Sequence, residues 1–122
     1  MKGSETLVQK KGRHTAAFLL ILLAEGPAYG HQLLTRLQNE LPFFLTDSPS
    51  VYRSLQEMEE RGWLEACWET ENSGQPRKWY HITEQGIEVL HGETQDILRR
   101  QANFNFFLTR YLTLFPNRES KL

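Results

Sequence analysis

The 122-residue chain has a single cysteine, Cys67, so no internal disulfide can form and no thiol cluster can chelate a metal. A lone thiol fits a reducing compartment and a structural role. Long apolar runs are missing too. TAAFLLILLA, at residues 15–24, falls short of the about 20 residues needed to cross a bilayer, and nothing later is longer, so no membrane segment is expected. KKGRH before that run and GPA after it share the make-up of a secretory signal peptide, an alternative to reading it as a buried helix. Catalytic sets are also lacking. His14, His31, His81 and His91 are scattered, with no His-x-x-x-His pair and no nucleophile elbow. Gly26 and Gly30 follow no expected strand and form no phosphate cradle. The chain therefore reads as neither enzyme nor metalloprotein, with no cofactor.

Charge of one sign is not in excess. The 14 Lys and Arg against 15 Asp and Glu give a formal charge of −1, which neither supports nor excludes a polyanionic partner. The distribution is uneven: Lys2, Lys10, Lys11 and Arg13 precede the first apolar run, while Glu57, Glu59, Glu60, Glu65, Glu69 and Glu71 crowd the middle. With 39% apolar residues, the length suits one compact domain with an added arm.

Residues 14–25 are apolar on nearly every side, the pattern of a helix buried in a core, and Gly26 and Pro27 stop it. A second, amphipathic helix starts near Tyr29, with Leu33, Leu34 and Leu37 on one side and Pro42 as its bound. Phe43, Phe44 and Leu45 read as a connector tucked against the core. Ser48 as N-cap and Pro49 at the first helical position open a third helix, with Val51, Leu55 and Met58 as its buried stripe and Gly62 as its end. Its exposed face would carry Ser50, Arg53, Ser54, Gln56 and Glu57.

Alternation from Trp63 to Glu71 and again from Lys78 to Ile82, with turn residues Asn72 to Pro76 between, predicts a β-hairpin. Thr83 then caps a long helix. Ile87, Leu90, Thr94, Ile97, Gln101, Phe104, Leu108, Tyr111 and Phe115 fall at spacings of three and four, a seam suited to a partner helix. The fold class is mainly α with a small antiparallel β-hairpin (α+β): a winged helix-turn-helix. The expected organisation is a basic arm at 1–13, a winged-helix domain at 14–82, a dimerisation helix at 83–115 and a tail at 116–122.

Three ordered stretches, LLAEGPAYGHQLL, SPSVYRSLQEMEERGWLE and GQPRKWYHITEQG, resemble the PadR-like transcriptional regulators across residues 14–86. The resemblance implies a cytoplasmic, nucleoid-associated homodimer that binds double-stranded DNA as a repressor or activator, repression being the preferred direction. Its C-terminal helix would pack on the partner subunit through Ile87, Leu90, Ile97, Phe104, Leu108, Tyr111 and Phe115. Members of the family often take aromatic or drug-like effectors, so a small aromatic or hydrophobic effector would sit near Ile97, Phe104, Phe107 and Tyr111.

The residues assigned to DNA are Tyr29, Ser50, Tyr52, Arg53, Gln56, Arg77 and Lys78. Arg53 would reach a phosphate or base edge from the first turn of the third helix, where backbone amides also favour an anion; the alternative is a pair with Glu57 at i+4. Arg77 and Lys78 would place wing cations on phosphates. Tyr29 would offer its hydroxyl to a phosphate or pack on the wing, and Tyr52 would touch DNA or edge the core. This sequence departs from many relatives in the third helix, where Gln56 and Glu57 stand in place of a base and Arg53 is the one cation before Arg61. That acidity motivates the rival reading, a winged-helix protein-interaction module without sequence-specific DNA binding.

Overall fold

A computed structural model describes residues 14–70 and 74–117. The basic arm expected at 1–13 and the end of the tail, 118–122, lie outside the described residues. Helix α1 spans Thr15–Glu25, a short strand β1 spans Ala28–Tyr29 and α2 spans Gly30–Glu40. Helix α3 follows at Ser48–Glu60, then strands β2 at Leu64–Glu69 and β3 at Arg77–Ile82, and α4 at Glu84–Leu114. The described residues divide after Leu90 into two compact units, so the first turns of α4 belong with the winged domain, past the 82/83 boundary expected from the sequence.

The core of the first unit is aliphatic. Leu19, Leu20 and Leu23 of α1, Leu33 of α2, Val51, Leu55 and Met58 of α3 and Leu64 of β2 are its most deeply buried side chains. Each contributes on the order of 1.5–3 kcal/mol by leaving water. Helix α1 is apolar nearly all round but not buried all round, because Phe18 and Ile21 stay exposed. Arg36 of α2 joins the two helices at their open side, bonding Glu25 of α1 and Glu40 of its own helix, each at 2.7 Å.

Three local expectations need correcting. The N-cap of α3 is Asp47, not Ser48, and its carboxylate accepts the Ser50 N–H at 2.8 Å; Asp is as good a cap as Ser, and the helix simply begins one residue earlier. The connector is not tucked in as a whole. Phe44 packs on the core, whereas Phe43 and Leu45 are each 75% exposed, since consecutive residues of an irregular segment cannot all face inward. Tyr29 opens α2 as its N-cap, as expected, but it also lies in a strand. It pairs with Trp79, and Ala28 with Tyr80, so the hairpin becomes a three-stranded antiparallel sheet in the order β1-β3-β2. A two-residue strand shows no periodicity in sequence, which is why only its partners were legible.

Helix α3 ends in a hydrogen-bonded cap: Gly62 takes φ 85°, its N–H donates to the Glu59 carbonyl, and the Trp63 N–H donates to that of Met58. Strand β2 starts directly from it. Register along the wing pairs Leu64 with Ile82, Ala66 with Tyr80, Trp68 with Lys78 and Glu69 with Arg77.

Thr83 joins wing to α4 as expected. Its N–H donates to the Trp63 carbonyl at 3.0 Å, its single hydroxyl proton is shared between the Gly62 and Trp63 carbonyls at 2.8 and 3.0 Å, and the hydroxyl oxygen accepts the Gly86 N–H. Gly86 has no room for a side chain, because a Cβ there would lie 2.3 Å from the Trp63 carbonyl oxygen. Gly86→Ala should therefore cost about 1–3 kcal/mol, read as a lower urea midpoint with an unchanged slope. An unaltered midpoint would show that this contact yields freely.

Candidate nucleic-acid interface

Helix α3 buries Val51, Leu55 and Met58, and the 3.6-residue period then turns Tyr52, Arg53, Gln56, Glu57 and Glu60 to solvent. Arg53 does not pair with Glu57. Its guanidinium donates to the Ser50 hydroxyl at 3.1 Å, while Glu57 is taken by Arg61 at 3.1 Å. The acidic character of this face is therefore partly neutralised from its own C-terminal end. The Ser50 N–H is already bound by Asp47, whereas its hydroxyl accepts from Arg53 through oxygen and keeps its proton as a donor for an incoming anion.

The wing separates its two cations. Successive strand residues point to opposite faces, so Arg77 and Lys78 take different partners although both border one cleft. Lys78 turns toward α3, where its ammonium meets Glu59 at 2.8 Å and lies 5.5 Å from the Tyr80 ring centre and 5.8 Å from that of Trp68. The hydrogen bond to Glu59 holds the lysine above its ordinary pKa despite partial burial. Lys78, expected on a phosphate, is thus engaged within the protein and ties the wing to α3. Arg77 goes to the other face, its guanidinium carbon 4.6 Å from the centre of the Tyr29 ring. Tyr29 meets Trp79 edge-on at 5.1 Å and 77°, and the Trp79 indole N–H donates to Glu69 at 2.8 Å. Among the described residues no ion pair engages Arg53 or Arg77.

A shallow open cleft brings these elements together. Its walls are Tyr29 and the start of α2 (Gly30, His31), Tyr52 from the second turn of α3, and Trp68, Arg77, Lys78 and Tyr80 from the wing. Tyr52 and Trp68 remain 43% and 63% exposed, which leaves aromatic surface on both sides of the cleft. Tyr80 is buried, settling which of Trp79 and Tyr80 faces inward. Trp68, Glu59 and Glu69 were absent from the sequence-derived site. Pairing the two strands residue by residue would have set Trp68 opposite Lys78; no sequence signal brings Glu59 to the wing.

Along α4, Leu90 was assigned to the partner subunit but packs, with Val89, on the domain's own core. The seam read the first turns as interface because burial within a chain and burial between chains leave the same periodicity. Farther along, Phe104, Phe107, Leu108 and Phe115 are exposed at 64%, 62%, 40% and 52%. Tyr111 lies between two of them, stacked on Phe107 at 6.4 Å and tilted on Phe115 at 5.3 Å. Ile97 is half-buried and Ile87 borders on exposed. In the second unit, then, Phe104, Phe107, Leu108, Tyr111 and Phe115 lie along an open helix face. Among the described residues no helix is long and apolar enough to cross a membrane, and no group of three His, Cys, Asp or Glu is placed to hold a metal.

Three helices with a β-wing after the third define a winged helix-turn-helix protein. A family model described as "Transcriptional regulator PadR-like family" matches residues 19–92. The chain belongs to that family. Solved structures agree with the fold. A PadR-like transcriptional regulator from Bacillus cereus superposes with TM-score 0.69 at 26% identity, covering 82% of this chain and 96% of its own. A conserved protein described as a potential transcriptional factor is 34% identical, with TM-score 0.65 over 84% of this chain and 94% of that one. Bacillus subtilis PadR, solved in complex with operator DNA, gives TM-score 0.61 at 17% identity over 85% and 78% of the two chains. No match was found among curated protein sequences.

Burial raises the Tyr80 phenol above its ordinary value, and Lys78 is raised as well. Both groups bind protons more tightly when folded. Their contribution is therefore complete below the unfolded values of about 10 and is lost as pH climbs through the folded ones. Denaturant midpoints should stay level through neutral pH and fall above about pH 10. The fall should be smaller in Lys78→Met, and an alkaline rise would contradict the assignment.

Proposed function

We propose that this regulator is a homodimer that binds double-stranded DNA at a pseudo-palindromic operator and represses the adjoining gene. The observation that carries the reading is that Arg53 on the open face of α3 and Arg77 on the wing are both exposed and engaged by no carboxylate among the described residues, with Tyr52 and Arg77 lining the cleft between helix and wing. Helix α3 enters the major groove, with Arg53 and Gln56 facing base edges and Tyr52 against the backbone. Arginine bonds guanine and glutamine bonds adenine through paired contacts, so these two residues carry the sequence reading. Arg77 grips a phosphate alongside, and Lys78 serves mainly to hold the wing. The relative solved on operator DNA supports this use of the fold.

The exposed aromatic and aliphatic face of α4 supports dimerisation. Left open, Phe104, Phe107, Leu108 and Phe115 would be an aggregation hazard, and a second copy removes it. Two copies place two recognition helices in successive major grooves about 34 Å apart. A small apolar effector acts, on this reading, beside Ile97, Phe104, Phe107 and Tyr111, where it would bias the spacing of the two halves. The protein performs no chemistry and works in the cytoplasm on the nucleoid.

A duplex from the chain's own promoter region should bind steeply less well as salt rises. Arg53→Ala should weaken binding by about 1–3 kcal/mol, and Arg77→Ala should lower the salt slope by about 0.9. The exposed Glu60 favours the rival protein-interaction module, and no binding at low salt would exclude the DNA reading. Sedimentation at micromolar concentration should give dimers, with Phe104→Asp/Leu108→Asp shifting the chain to monomer. A wild-type monomer would contradict the role given to α4.

A further inference from the structure

Glu69 sits directly across the ladder from Arg77, yet its carboxylate accepts from the Trp79 indole at 2.8 Å, and no ion pair joins it to Arg77. The arginine lies instead over the Tyr29 ring, at 4.6 Å, and the edge contact with Trp79 fixes that ring in turn. Four residues from three strands thus form one chain of contacts, Glu69 to Trp79 to Tyr29 to Arg77. An arginine stacked on an aromatic face keeps its in-plane N–H donors available for an anion.

We propose that Tyr29 and Trp79 are positioning residues for Arg77: Tyr29 holds the guanidinium in one orientation, and Trp79 withdraws the carboxylate that would otherwise neutralise it. This rests on the DNA-binding reading and deepens it. A side chain ordered before encounter loses less freedom on meeting a phosphate. The Tyr29 hydroxyl has no part in this, so the ring and not the phenol is what binding depends on.

The test uses a fluorescent mixed-sequence duplex at low salt, because the phosphate term is independent of sequence. Tyr29→Phe should bind like wild type, and Tyr29→Leu should lose about two- to tenfold, the cost of ordering one long side chain on binding. That loss should vanish in an Arg77→Ala background. Trp79→Phe should also weaken binding, and adding Glu69→Gln should restore it, which a merely structural role for Trp79 would not allow. In the free protein, the Arg77 side-chain protons should be shifted upfield by the Tyr29 ring, and the shift should persist in Tyr29→Phe and disappear in Tyr29→Leu. Additive losses with Arg77→Ala, a full loss in Tyr29→Phe, or failure of Glu69→Gln to rescue would overturn the proposal, as would absence of the ring shift. A wild-type chain that binds no duplex while keeping the ring shift would sink the DNA reading itself, and the two failures are told apart by that shift.

Discussion

The carbonyl of Trp63 is the point through which three elements of the domain are held. It accepts from the Thr83 backbone and hydroxyl and lies against Gly86, while Trp63 itself closes the C-terminal cap of α3. Recognition helix, first wing strand and the start of α4 therefore share one junction. A buried or half-buried carbonyl that accepts twice cannot move without leaving its donors unpaired, at about 1–3 kcal/mol each. The position of the wing beside α3 follows from this junction, and the Lys78–Glu59 pair fixes the wing a second time nearer its tip.

A second constraint is the two-residue period of a strand. It sends adjacent cations to opposite faces, so the pair Arg77-Lys78, which reads in sequence as one basic patch, becomes two devices. Lys78 spends its charge on Glu59 and on the rings of Tyr80 and Trp68. Arg77 keeps its donors, stacked on Tyr29. The acidity of α3 takes on a different meaning in this light. Glu57 and Glu59 are each bound to a cation of the same domain, so that region is less repellent to phosphate than its composition implies.

Much of this was legible from residues alone. The periodicity of Val51, Leu55 and Met58, the stop at Gly62, the alternation on both wing strands and the cap at Thr83 each follow from a local rule, and each element stands within a residue or two of where those rules put it. What escaped was non-local. Strand β1 exists only because β3 offers it an edge, and Glu59 reaches Lys78 only after the wing folds back on α3. Leu90 shows a related limit: it packs partly on its own domain, and a periodic apolar stripe records burial without naming what buries it. The N-cap slipped by one residue because Asp47 and Ser48 are both good caps and adjacent.

The central claim is that two such domains read one operator through α3 while Arg77 of each wing holds the backbone. Sequencing the DNA fragments that the purified protein retains from a genomic library is the most direct measurement of it. The account predicts an inverted repeat whose half-sites are centred about one helical turn apart, with guanine and adenine positions in each half. Retained fragments without a shared motif, or none retained at low salt, would contradict it.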